Sequence, residues 1–131
     1  MVEWFDASEV NDPESTDLVL NYLMRHTDKP VYIIAYFRKD RVDRIFAFRE
    51  FFERISSDER VKRIWVAGFH YRLILKLIGG KGGVIKEDNI RDVIDTVRKE
   101  DGLLVLAVNG VTPFMDKVRE ILSGEAAEKA A

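Results

Sequence analysis

Arginine sets the chemistry this chain can do. Arg38, Arg41 and Arg44 fall within the charged stretch Arg38-Lys39-Asp40-Arg41-Val42-Asp43-Arg44, which follows directly on the apolar run Val31–Phe37. A guanidinium grips a phosphate or a carboxylate at two points, so such a cluster reads as an anion site. Polar and glycine residues follow the other apolar runs too: Asp6 to Asn11 with Asp12, then Gly68 with His70, then Asn109 with Gly110. In a parallel α/β sheet all strand ends share one edge, where helix N-termini present free N–H groups and a partial positive charge. The candidate set is therefore Asn11, Asp12, Arg38, Asp40, Arg41, Arg44, His70, Asn109 and Gly110. Its expected ligand is a phosphate, a nucleotide or an acidic amino acid.

Each of these residues also has a purely structural account. Asp40 stands four residues before Arg44, the spacing of an ordinary helix-surface ion pair. Asp12 before Pro13 reads as a helix cap. Asn109-Gly110 reads as a turn ahead of a Thr112 cap, and His70 as a surface or structural histidine. Phe46 and Phe51 either widen a buried face or pair two chains.

Several familiar chemistries find no support. Gly79-Gly80-Lys81-Gly82-Gly83 has Leu75 where a P-loop needs its first glycine and Gly82 where it needs a hydroxyl. Neither Gly-x-Gly-x-x-Gly nor Gly-x-Ser-x-Gly occurs. His26 and His70, without any cysteine, make a poor zinc set, so no metal site is expected.

The elements that must position the cluster follow from periodicity. Val31–Phe37 has the β-branched and aromatic character of a strand buried on both faces. Val42, Ile45, Phe48, Phe52 and Ile55 then make one helical stripe over about 41–55. Further strands are expected at 2–5, 63–67, 84–85 and 103–108. Further helices are expected at about 13–26, 69–78, 87–99 and 113–122, with 79–83 as a flexible loop. Five strands alternating with helices imply right-handed βαβ units. The expected fold is α/β: a three-layer, Rossmann-like doubly wound sheet of about five mainly parallel strands. Residues 1–123 form a single domain in this reading, and 124–131 a frayed tail.

Composition bounds the partners. Lys and Arg total 21 against 23 Asp and Glu, a net charge of −2, which disfavours general affinity for nucleic acid. The start, MVEWFDASEV, has no apolar signal region, and no apolar run suits membrane insertion. The expected location is the cytoplasm. The absence of cysteine and glutamine beside many Arg, Lys and Glu leans towards a thermophilic source.

Two motifs together carry a resemblance. Asn11-Asp12-Pro13-Glu14-Ser15-Thr16 and Arg38-x-Asp40-Arg41-Val42-Asp43-Arg44-x-x-x-Phe48 resemble the C-terminal domain of poly-γ-glutamate synthase, of the Mur ligase superfamily. Asn109-Gly110 matches a Gly/Asn turn of that family in reversed order. The resemblance covers roughly residues 3–122. It implies ATP-dependent amide formation: a carboxylate is phosphorylated, and an amine attacks the acyl phosphate. The domain would be a Rossmann-like lid, closing on nucleotide held by a central domain and helping to place the incoming amino acid. Asn11, Arg38, Asp40 and Arg41 would be its contributions, an arginine near the phosphoryl group stabilising its charge.

The P-loop and magnesium-binding residues of the central domain are not in this sequence. The expectation is therefore a lid, excised or free-standing, with no intrinsic cofactor. It would meet ATP–Mg through a partner P-loop ligase domain or subunit and would not catalyse alone. The alternative is a non-enzymatic α/β interaction module, homodimeric through Phe46, Phe51 or the Trp65 region. A phosphoester enzyme using Asp6 or Asp12 lacks any identifiable second group.

Overall fold

The computed structural model describes residues 2–10 and 12–130, with side chains to Gly124. The chain alternates strand and helix. The strands are β1 (Glu3–Asp6), β2 (Val31–Phe37), β3 (Val61–Gly68), β4 (Gly82–Val84) and β5 (Leu103–Val108). The helices are α1 (Pro13–Arg25), α2 (Asp43–Ala47), α3 (Arg49–Ser56), α4 (Tyr71–Ile78), α5 (Ile90–Lys99) and α6 (Pro113–Ala130). The strands form one sheet in the order β1-β5-β2-β3-β4. Every pairing is parallel.

Alternation along each strand divides the apolar residues into two cores. Val31, Ile33, Ala35 and Phe37 point to one face, packed with Leu20 and Met24 of α1, Ile45 of α2, Phe52 and Ile55 of α3, and Ile74 and Ile78 of α4. Tyr32, Ile34, Leu104 and Leu106 point to the other, packed with Ile90, Val93, Ile94 and Val97 of α5 and Met115 and Val118 of α6. This is the expected three-layer, Rossmann-like arrangement.

Strand order decides where a crevice opens. Leaving β1 and β2, the chain crosses to α1 and α2 on the first face. Leaving β5, which lies between them, it crosses to α6 on the opposite face. Adjacent strands whose connections part to opposite faces leave a gap beyond their carboxyl ends.

Asp12 caps α1 as its position suggests, accepting a hydrogen bond from Ser15 N at 2.8 Å, with Pro13 first in the helix. Four expectations are corrected. The single helix expected over 41–55 is two, α2 and α3, broken at Phe48 (φ −91°, ψ 2°). Phe48 is fully buried with its ring against Phe51 and Phe52, so the apolar stripe continues across the break in backbone geometry. Val42, placed in the apolar stripe by spacing, is exposed instead. The glycine run is not a loose loop: Gly79–Lys81 is a 3-10 turn, and Gly82 and Gly83 pair with β3 as β4. A Cβ on Gly82 would stand 2.8 Å from Leu75 Cδ2, and one on Gly83 2.9 Å from Trp65 Cδ1, so these glycines serve close approach. Finally, α6 continues to Ala130, past the end expected at Leu122; the side chains of 125–130 and residue 131 lie outside the described residues. No helix among the described residues is long and apolar enough to cross a membrane.

Candidate anion-binding site

The gap predicted by strand order is a cleft of about 380 Å³, lined by Ser8, Glu9, Arg38, Arg41, Arg44, Asn109, Gly110 and Val111. Three loops build it. Ser8 and Glu9 follow β1, the arginines follow β2, and Asn109 to Val111 follow β5. The loops are held flush by backbone bonds: Ala7 N to Leu106 O (2.8 Å), Asn109 N to Tyr36 O (3.2 Å) and Gly110 N to Ser8 O (3.2 Å).

One wall is cationic. Arg38 donates from Nε and Nη2 to the two carboxylate oxygens of Asp40, at 2.9 and 2.7 Å. Arg41 donates in the same forked way to Asp43, at 3.3 and 3.2 Å. The Arg38 fork holds the Asp40 carboxyl below the usual carboxylate range, and the Arg41 fork does the same for Asp43. Both pairs are largely solvated, so each is a weak bond that a better-placed anion can displace. The expected Asp40–Arg44 pair does not form; Asp40 turns back to Arg38, where two donors replace one.

Arg44 differs. Its Nε is buried and has no hydrogen-bond partner. Across the loops, Asn109 is 7% exposed, and its Nδ2 is likewise buried and unpartnered. Buried polar groups are almost always paired, and each orphan costs roughly 1–3 kcal/mol. Both orphans are donors, and both residues line the same cleft. Donors take oxyanions as partners and repel cations. With Arg38, Arg41 and Arg44 against Glu9, the lining carries +2. Its sole carboxylate offers little to a metal, so the donor set suits a phosphate or carboxylate and not a divalent cation. No group of three or more metal-binding residues comes together among the described residues.

The opposite wall is built to approach closely. A Cβ on Gly110 would meet Ser8 Oγ at 2.2 Å, so only glycine fits there. Val108, just before Asn109, has φ +78°, a conformation that a β-branched residue adopts only under strain. Buried in the sheet, it holds the chain at the angle from which Asn109 departs.

Of the residues expected at the site, Arg38, Arg41, Arg44, Asn109 and Gly110 come together in the cleft. Asp12 and Asp40 do not line it: one is occupied as the α1 cap, the other as the partner of Arg38. His70 stands exposed at the start of α4 in a left-handed conformation (φ 62°), beyond β3 and outside the cleft. The connections of β2 and β3 both run to the first face, so no gap opens between them. Asn11 lies outside the described residues.

The sequence singles out neither Arg119 nor, within the polar stretch Asp6 to Asn11, Ser8. Ser8 is one small residue in a loop. Arg119 approaches Asp6 across 113 positions, a contact that leaves no local signal.

No curated protein and no solved structure matches the chain. The family model of the poly-gamma-glutamate synthase CapB C-terminal domain matches residues 1–125, nearly all of the sequence. Of the two motifs that resemble this family, one holds the α1 cap and the other supplies the arginine wall of the cleft. The chain therefore belongs to the family of poly-gamma-glutamate synthase C-terminal domains.

Proposed function

We propose that the cleft binds the anionic group of a ligase substrate, a phosphate or a carboxylate, and that the domain acts as a lid on a P-loop ligase domain instead of catalysing alone. The observation that carries this reading is the pair of buried, unpartnered donors, Arg44 Nε and Asn109 Nδ2, in one cationic cleft. Family membership supports the ligase context, in which ATP–Mg is held by the P-loop domain and supplies the phosphoryl group. The residues here would grip oxygen atoms only. Arg44 and Asn109 would bind them inside the cleft, while Arg38 and Arg41 would exchange their local carboxylates for the ligand at its mouth. In that position the guanidinium groups offset charge on a phosphate or on an acidic amino acid.

Calorimetric titration of the full chain with ATP–Mg, inorganic phosphate and L-glutamate tests the proposal. At least one should bind to the wild type, and Arg44→Met should lose it. Silence from all three, in low-salt buffer without other anions, refutes it.

A second reading is an interaction module that pairs with its own copy. Phe51 and Trp65 are buried within the chain, so of the three aromatic positions considered only Phe46 is presented to solvent. Light scattering on wild type and Phe46→Glu separates this reading: a dimer that the substitution splits would favour it.

A further inference from the structure

We propose that Arg119 is a positioning residue for the cleft: its guanidinium locks the loops after β1 and β5 together so that Asn109 faces the arginine wall. This rests on the cleft being an anion site, but the bracing can be observed without any ligand.

Arg119 projects from α6 and is about a quarter exposed. Its Nη1 donates to Asp6 Oδ2 at 3.0 Å and lies 3.4 Å from Ser8 Oγ. Its Nη2 donates to the Gly110 carbonyl at 2.5 Å and to Asp116 Oδ1 at 2.8 Å. The other oxygen of Asp6 accepts from Ser8 N at 2.9 Å and from Ser8 Oγ. One planar group thus joins the last residue of β1, the buried serine of the first loop and the backbone of the second.

The need for such a brace follows from the backbone. Val108 leaves β5 in a strained conformation, and Asn109 lies between it and Gly110. Relaxation at Val108 would pull on the bonds from Asn109 N to Tyr36 O and from Gly110 N to Ser8 O, both at 3.2 Å, and neither fixes the far side of Gly110. Arg119 holds it by the Gly110 carbonyl. Two carboxylates, Asp6 and Asp116, already offset the guanidinium charge. Arg119 therefore acts on the ligand through geometry and contributes no net attraction. Lysine would keep the charge but cannot bridge Asp6 and the Gly110 carbonyl with the fixed spacing of a planar fork.

The test uses the full chain, labelled with nitrogen-15, as wild type, Arg119→Lys and Arg119→Met. The Asn109 side-chain amide and Gly110 backbone amide resonances are read without ligand, and inorganic phosphate is then titrated. In both variants the two resonances should move towards solvent-averaged positions. Phosphate affinity should fall about tenfold, the scale of one hydrogen bond lost from the site. If Arg119→Lys does not fold, Arg119→Met, which keeps an unbranched aliphatic stem, takes its place. Unchanged resonances in a folded variant overturn the proposal, whether or not phosphate binds. Shifted resonances in the variants, beside a wild type that binds no phosphate, uphold the brace and sink the anion site instead.

Discussion

Replacing Asn109 with leucine should make the protein more stable and abolish anion binding. Asn109 is 7% exposed, and its Nδ2 has no partner. A buried donor left unpaired costs roughly 1–3 kcal/mol. Leucine keeps the branching at Cγ but is bulkier, and the cleft that Asn109 lines gives the extra volume room; Asn109 is not among the residues with positive φ, so the change meets no backbone penalty. Overpacking would return about 1 kcal/mol of the gain, leaving a net stabilisation of up to about 2 kcal/mol. For a chain of this length that is a rise of up to roughly 8 °C in Tm. Scanning calorimetry in buffer without phosphate or sulfate should show Asn109→Leu melting above the wild type.

Adding phosphate should reverse the order. A ligand at a hundred times its Kd stabilises the native state by about 2.7 kcal/mol, and only the wild type would receive it. This crossing of the two curves is specific to an orphan donor kept for a ligand. A structural asparagine would lose stability on substitution in every buffer. If Asn109→Leu melts lower without anions and still gains from phosphate, the reasoning is wrong.

Gly110→Ala should lower stability by about 1–3 kcal/mol through overpacking against Ser8 Oγ and weaken phosphate binding as well, read by thermal melts with and without phosphate. Gly68→Ala should be harsher and cost more than about 2 kcal/mol in a urea titration, because its φ of +91° is strained for alanine and its Cβ would lie 2.2 Å from the Phe37 carbonyl oxygen. Thr112→Ala removes the buried cap bond to Met115 N (3.2 Å) and should cost about 1 kcal/mol by the same titration, without changing the cleft's affinity. Asp40 and Asp43 have carboxyl groups held below their ordinary range by the arginine forks, so their contribution to stability is full above about pH 4 and fades as pH falls through their lowered values. Asp40→Asn with Asp43→Asn should remove that acid-side dependence and raise phosphate affinity at neutral pH, measured by calorimetry, because Arg38 and Arg41 no longer hold competing carboxylates.

The local chemistry of the chain is legible in its letters. The unbroken apolar runs at 31–37 and 103–108 mark buried parallel strands, because a strand covered on both faces has no polar side to show. Asp12-Pro13 marks a helix start, since a side-chain acceptor and a fixed φ serve the first turn wherever it occurs. The arginine cluster and Asn109-Gly110 stand out for the same reason: what a residue type can bind is a property of that residue and its near neighbours.

Which of these residues meet is a different kind of fact, and strand order settles it. Insertion of β5 between β1 and β2 brings Asn109 opposite Arg44 and leaves His70 outside, although all follow strand ends in the same way. The break at Phe48 is invisible to periodicity, because the apolar stripe runs through it unchanged and only the backbone angles (φ −91°, ψ 2°) depart from the helix. The contact of Arg119 with Asp6 spans 113 residues. Periodicity and capping act over one or two turns of chain. Long-range contacts depend on how whole layers stack, so only the folded molecule determines them.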